Sequence, residues 1–385
     1  MRLANRVSGI SESVTLEITS KAKKMAKEGI DVVSFAAGEP DFDTPKHIKD
    51  AAIKAINEGF TKYTPSSGMP ELREAIANKF KTDNGIDYAP NQIVVSNGAK
   101  HSLNNVFQAI CNAGDEVLIL APYWLSYPAM VGMAEAKPVF VETRASNGFK
   151  VTEKDLEPKI TNKTKCLVLN SPSNPTGGIY DMDDLKMIAR LAVKHNFFVI
   201  SDEIYEKLIY DGRKHHSIAS LGKEIYDLTI TVNGVSKSYS MTGWRIGYLA
   251  GDKEVVKGIS SLQSHSTSNP ASISQAAAVA ALNGGTNSIK SMAAEFEKRR
   301  NVMLKGLDKI KKIKYNRPEG AFYCFADISR TGMSSVDFAK KLLSQVHIAA
   351  IPGEPFGMDD HVRFSFATNV DEIKKGIKRL KEWLS

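Results

Sequence analysis

The stretch "DLTITVNGVSKSYSMTGWRIGY", residues 227–248, carries the decisive pattern of the chain. Its first half alternates β-branched residues up to Gly234, the pattern of a strand that stops at a glycine. Lys237 is thereby placed just past a strand end, with Arg245 eight positions later. Lysine forms Schiff bases with carbonyl compounds, and arginine offers a fixed fork of donors suited to phosphate. A carbonyl compound that also carries a phosphate satisfies both. Taken by itself, the stretch is accounted for equally well by a solvated loop lysine near a surface arginine.

Further strand-like runs lie upstream: "QIVVSN" (92–97), "EVLILA" (116–121), "KCLVLN" (165–170) and "FFVISD" (197–202). They alternate with helical patterns such as "PKHIKDAAIKAINEG" (45–59), "GMPELREAIANKFKTDNG" (68–85) and "MDDLKMIARLAVKHN" (182–196). Strands alternating with helices predict an α/β fold whose mostly parallel sheet is covered by helices on both faces. An amphipathic helix is predicted at 13–29, and beyond residue 284 the helices become longer and more charged, as in 288–313. The expected division is a large domain over 45–284 and a smaller α+β domain formed by 1–44 with 285–385.

The composition is that of an ordinary globular protein, with 385 residues, 42% apolar and 24% charged. Lysine plus arginine (51) outnumber aspartate plus glutamate (43), but the excess is spread along the chain and forms no basic block of the kind that tracks nucleic acid. Anionic small molecules fit better as partners. Cys111, Cys166 and Cys324 show no CxxC and no histidine at metal spacing, so no metal is expected and the three read as buried thiols of a reducing compartment. No stretch has the continuous apolar length of a membrane span, and the first residues lack the apolar core of a leader, so a soluble, cytoplasmic protein is expected.

In open α/β sheets the ligand lies beyond the carboxyl ends of the strands. The residues just past each strand are therefore the informative ones. Asn97-Gly98-Ala99-Lys100 is a glycine turn opening a helix, whose free N–H groups suit a phosphate. Trp124 comes after "EVLILA", Asn174 lies in the proline-flanked turn "SPSNPTGG", and Asp202 and Tyr205 come after "FFVIS". Each has a plainer explanation: Asp202 as a helix cap, Trp124 as a core aromatic, Asn174 as a turn former, Lys100 as a solvated helix lysine. A carboxylate at Asp202 also suits pairing with a protonated ring nitrogen. The joint occurrence and order of these residues favour a site.

The chain resembles the class I aminotransferases of the aspartate aminotransferase type, which depend on pyridoxal 5'-phosphate. The likeness runs through "AAGEPDFDTP", "KYTPSSGMPELREAI", "PYWLSYP", "NSPSNPTGG", "SDEIYEKL", "SKSYSMTGWRIGY" and "VRFSFAT". It implies that Lys237 is the catalytic residue, holding the cofactor as a Schiff base and moving the substrate proton. Arg245 would grip the phosphate with the backbone of Gly98, Ala99 and Lys100 and the Ser236 hydroxyl. Asp202 would pair with the ring nitrogen, Asn174 and Tyr205 would bond the ring hydroxyl, and Trp124 would stack on the ring. Arg363 would clamp the substrate α-carboxylate, with Gly38, Trp124 and Asn174 beside the substrate. Tyr63 would reach the phosphate of a neighbouring subunit, implying a homodimer with shared sites, and the small domain would close over the substrate.

The reaction so implied moves an amino group from an L-amino acid, foremost L-aspartate, to 2-oxoglutarate in ping-pong half-reactions. Some relatives bind the distal carboxylate with an arginine from the other subunit, but "QSHSTSNPASISQ" (263–275) contains none. Lys100 is the substitute this resemblance offers, with help from Ser11 or Ser13. A broader, aromatic or prephenate specificity is the alternative, followed by a carbon–sulfur lyase. A regulatory module on the same fold is a third, for which the chain has no room for a helix-turn-helix domain.

Overall fold

The computed structural model describes residue 4 and residues 14–385. Thirteen strands are defined among these: β1 (Val33–Ser34), β2 (Ile93–Ser96), β3 (Glu116–Ala121), β4 (Lys137–Glu142), β5 (Thr164–Asn170), β6 (Phe198–Asp202), β7 (Thr229–Gly234), β8 (Gly247–Ala250), β9 (Lys314–Tyr315), β10 (Tyr323–Asp327), β11 (Ile348–Ala349), β12 (Ile351–Pro352) and β13 (His361–Ser365).

Seven of them form one sheet in the order β2-β8-β7-β6-β5-β3-β4. Every pairing is parallel except those of β8, which runs antiparallel to both β2 and β7. The strands β2, β6 and β7 are almost wholly buried. That burial explains their continuous Ile/Val/Thr character, since helices cover both faces of such a sheet. One covering layer packs Leu103, Val106 and Phe107 with Val117 and Val232, and another packs Leu185, Ile188 and Leu191 with Leu167 and Val199. The expected α/β fold with a mostly parallel sheet is the one observed.

A second, antiparallel sheet has the order β12-β13-β10-β9, and β1 pairs in parallel with β11. The N-terminal segment is tied to the C-terminal helix Val370–Leu384 by Asp31, which Lys375 (2.8 Å) and Arg379 (2.6 Å) both engage. The apolar cluster here is shared with the larger sheet's side, because Ile204, Tyr205, Leu208 and Tyr210 pack among Phe296, Phe322 and Phe364. The helix expected at 13–29 spans Val14–Lys27. Charged residues at 288–313 form the helix Asn287–Leu307, which stops short of the Lys311-Lys312 pair. Cys166 and Cys324 are buried, whereas Cys111 is half-buried at the end of the helix Ala99–Ile110, where that helix emerges toward the surface.

Candidate active site

The carboxyl ends of β5, β6 and β7 open onto a cavity of about 730 Å³. Its floor comes from the large sheet and its opposite wall from the segment after β1 and from β10 and β13. Of the residues singled out in the sequence, Gly38, Ala99, Lys100, Trp124, Asn174, Asp202, Tyr205, Ser236, Lys237, Arg245 and Arg363 all line it. Gly98 lies directly behind Arg245. Tyr63 does not reach the cavity of its own chain and is 89% exposed. Ser11 and Ser13 lie outside the described residues.

Lys237 stands three residues past the end of β7, and its Nζ donates to Gly38 O at 2.6 Å. Burial is the main influence on this amine and brings it down to about 8, well below an ordinary lysine; Glu39 opposes the shift, and Arg245 and Arg363 add to it. An amine so poised is partly uncharged just above neutrality and mostly so above about 8, and the uncharged form is the one that attacks carbonyl carbon and accepts protons.

Asp202 closes β6 and is 3% exposed. It begins no helix, so capping does not explain it. Burial lifts its carboxyl to about 6, against the hydrogen bonds from Tyr127 Oη to Oδ2 (2.6 Å) and from Ile204 N to Oδ1 (3.3 Å). A buried carboxylate without a cation bonded to it gains most from a cationic partner.

Arg245 owes its position to the antiparallel run of β8. That strand starts at the end of the sheet where β7 stops, so the whole loop 235–246 stays over the cavity. Arg245 adopts φ +55°, and its guanidinium donates to Thr242 O (2.8 Å) and Asn97 O (3.3 Å). Gly98, at φ +88°, opens the helix Ala99–Ile110, and a Cβ there would stand 2.3 Å from Arg245 Nη2. Gly247 is equally required, since a Cβ on it would lie 2.1 Å from Ala99 N. The two bare glycines bring a guanidinium against a helix N-terminus, a cradle for a phosphate.

Arg363 stands in the middle of β13 and is 2% exposed. Nη1 donates to Asn174 Oδ1 (2.9 Å) and Nη2 to Ala36 O (3.4 Å), while Nε is buried with no partner. The Tyr323 and Phe356 rings lie 4.3 and 5.1 Å from its guanidinium carbon. Burial lowers its affinity for its proton, and no carboxylate pairs with it among the described residues. A buried, unneutralised guanidinium with an idle donor asks for an anion.

Lys100 Nζ lies 4.9 Å from the Trp124 ring. Burial first, and Arg245 second, pull its ammonium down. Two contributors were missed in the sequence. Tyr127 bonds Asp202, and Tyr323 Oη lies 3.0 Å from Tyr205 Oη. The first was findable, because "PYWLSYP" sets a second aromatic one helical turn after Trp124. The second was hidden in the apolar run "GAFYCF".

The cavity offers a partner to each end of pyridoxal phosphate. The Gly98/Arg245 cradle suits its phosphate, the buried Asp202 carboxylate its ring nitrogen, and the Lys237 amine its aldehyde. The residues fit the group.

Residues 30–380 match the family model described as aminotransferase class I and II. An aspartate aminotransferase of Bacillus sp. (strain YM-2) is 48% identical over 99% of each chain. A probable aspartate/prephenate aminotransferase of Rickettsia bellii is 46% identical over 98% of each. Among solved structures, the aspartate aminotransferase of Thermus thermophilus with maleate superposes with a TM-score of 0.96 at 43% identity, covering 99% of this chain and 100% of that one. With family, relatives and cavity in agreement, the chain belongs to the class I and II aminotransferases, enzymes that work with pyridoxal phosphate.

Proposed function

We propose that this aminotransferase moves the amino group of L-aspartate to 2-oxoglutarate, with Lys237 as its catalytic residue. The observation that carries the substrate reading is Arg363, a buried guanidinium with an unpartnered Nε, lining the cavity that Lys237 enters. Bound there, pyridoxal phosphate supplies an aldehyde that condenses with amines and a protonated ring that draws electrons from the substrate α-carbon.

The chain's own residues do the rest. Arg245, the N–H groups of Gly98, Ala99 and Lys100, and Ser236 hold the phosphate. Asp202 keeps the ring nitrogen protonated, Trp124 packs on the ring, and Tyr205 and the Asn174 amide hold the ring hydroxyl. Arg363 orients the α-carboxylate so that the α C–H faces Lys237 Nζ, which takes that proton and gives it back at the carbon on the far side of the amino nitrogen. Gly38 lets the closing segment lie flat against the substrate. Its exposed backbone is already tied to Lys237.

The dicarboxylate preference rests on Lys100, an ammonium at the cavity with no carboxylate bonded to it among the described residues. The Thermus relative, similar throughout, was solved with maleate, itself a four-carbon dicarboxylate. A second reading, that the enzyme also takes aromatic or prephenate-sized substrates, is favoured by apolar walls at Val32, Ala36 and Leu125 and by the name of the Rickettsia relative.

Residues 45–284 serve as the cofactor-binding domain, and 1–44 with 285–385 as the unit that closes, supported by the β1–β11 pairing and the Asp31 bonds. The working form is a homodimer. Ile53, Ile56, Phe60 and Tyr63 form an exposed apolar run on and after the helix Lys46–Asn57, where a second copy would bury them and bring Tyr63 to its phosphate. No described helix is long and apolar enough to cross a membrane, and the three cysteines are free, which supports a cytoplasmic setting.

A panel of amino donors assayed with 2-oxoglutarate tests the function. Aspartate should give the highest kcat/KM. A protein that stays colourless with added pyridoxal phosphate, or that turns over no donor, defeats the reading.

A further inference from the structure

The shortest hydrogen bond to Asp202 comes from a residue with no role so far. Tyr127 Oη donates to Asp202 Oδ2 at 2.6 Å. Its ring is 2% exposed, packed with Leu103, Val106, Ile119 and Val168, and stands edge-on to Trp124 with centroids 5.3 Å apart. Tyr127 N also donates to Trp124 O at 3.0 Å. One helical turn thus carries the ring-stacking tryptophan and the phenol that grips the carboxylate.

We propose that Tyr127 is a positioning residue that keeps the proton of the Asp202–ring pair on the ring nitrogen. This rests on the role of Asp202 proposed for the transamination site. The carboxylate and the ring nitrogen compete for one proton, and whichever base is stronger takes it. A phenol bonded to the carboxylate stabilises its charged form and makes it the weaker base. The phenol cannot join the competition, because burial and the neighbouring Asp202 drive its own ionisation well upward, so it stays a donor.

The other charges around Asp202 leave this task to Tyr127. Glu203 raises the carboxyl and Lys237 lowers it. Glu203 is occupied by Ser201 (2.9 Å), Ser217 (2.6 Å) and His215 (2.9 Å), and Lys237 Nζ donates to Gly38 O (2.6 Å) and makes no hydrogen bond to Asp202. Without Tyr127, only Ile204 N, at 3.3 Å, still donates to the carboxylate among the described residues. Electron withdrawal by the ring then fails, because a neutral ring nitrogen is a poor sink.

The test uses Tyr127→Phe, which keeps the packed ring and removes only the hydroxyl, with thermal unfolding to confirm the fold. In the cofactor-free protein, the Asp202 carboxyl is titrated by isotope-edited infrared spectroscopy. Its midpoint should rise by about one to two units, the pKa equivalent of a lost charged hydrogen bond. In protein loaded with pyridoxal phosphate labelled with ¹⁵N, the ring nitrogen should be protonated in the wild type and unprotonated in the variant at neutral pH. An unchanged Asp202 midpoint, or the same ring protonation in both proteins, overturns the proposal. A wild type that takes up no cofactor overturns the reading of the site and this inference with it, while the carboxyl titration separately shows whether Tyr127 controls Asp202. Asp202→Asn supplies the reference spectrum of an unpaired ring. If Tyr127 served only packing, the Phe variant would keep the wild-type spectrum.

Discussion

The two walls of the cavity are built differently. On the sheet wall, Asp202 and Lys237 stand at or just past strand ends, and their charges are partly met by the protein through Tyr127, Ile204 and Gly38. On the facing wall Arg363 sits mid-strand, buried between two aromatic rings, with Nε idle. The sheet wall suits a resident molecule such as the cofactor, and the facing wall suits an anion. Changes on the first should therefore act through the cofactor, and changes on the second through the substrate.

The harshest break is Lys237→Ala, which removes the amine proposed to bind the aldehyde and move the proton. Transamination should fall by about 10⁴-fold or more, and the imine absorption band should disappear. Next comes Asp202→Asn. Losing one partner of a buried charge pair costs about 3–5 kcal/mol, so the half-reaction should slow by roughly 10²- to 10⁴-fold while some cofactor remains bound. Equal stopped-flow rates for mutant and wild type would remove Asp202 from this role.

Arg363→Lys probes the facing wall. A point charge cannot replace the bidentate fork, so kcat/KM should drop about 10- to 100-fold for every amino donor, with cofactor content unchanged. Cofactor loss in this variant would erase the division between the walls. Lys100 sharpens it, because it belongs to the sheet wall by position and to the substrate by the role proposed. In Lys100→Ala, aspartate should lose roughly tenfold or more against phenylalanine, while the backbone N–H kept by alanine preserves the phosphate contact. Equal losses for both donors would assign Lys100 to the cofactor or the helix. The smallest effect is in pH. With the Lys237 amine near 8, it is protonated below that value and free above it. Cofactor uptake by the empty protein should accelerate with rising pH and level off above about 8; a climb continuing toward about 10 would show an ordinary lysine.

The sheet wall was legible in the sequence for a physical reason. Buried parallel strands are continuous apolar runs, so a polar residue just after one, as at Asp202 or Asn174, stands out. Two strands of the same sheet were not read. β4 is an edge strand with Pro138 inside it and several exposed residues, and β8 has four residues and begins with Gly247. Arg363 could not be placed by periodicity, because "HVRFSFAT" reads as a strand in which the arginine has no visible reason to be buried; family likeness alone marked it. The spacing after Trp124 marks Tyr127 as a candidate, but the partners of the Tyr127 and Tyr323 hydroxyls, Asp202 and Tyr205, are remote in sequence, which periodicity does not encode.

The close approach of Gly247 to the Gly98–Ala99 turn joins segments that leave the ribosome far apart in time. β8, which carries Gly247, lies between β2 and β7, so the Gly98/Arg245 cradle is complete only with that strand in place. Held by that cradle as proposed, pyridoxal phosphate would act as a fastener across the sheet. At a free concentration about 100 times its Kd, such a ligand adds about 2.7 kcal/mol to the folded state. The empty protein keeps the same sheet with a smaller margin of stability, so it should be cut by proteases faster than the loaded one.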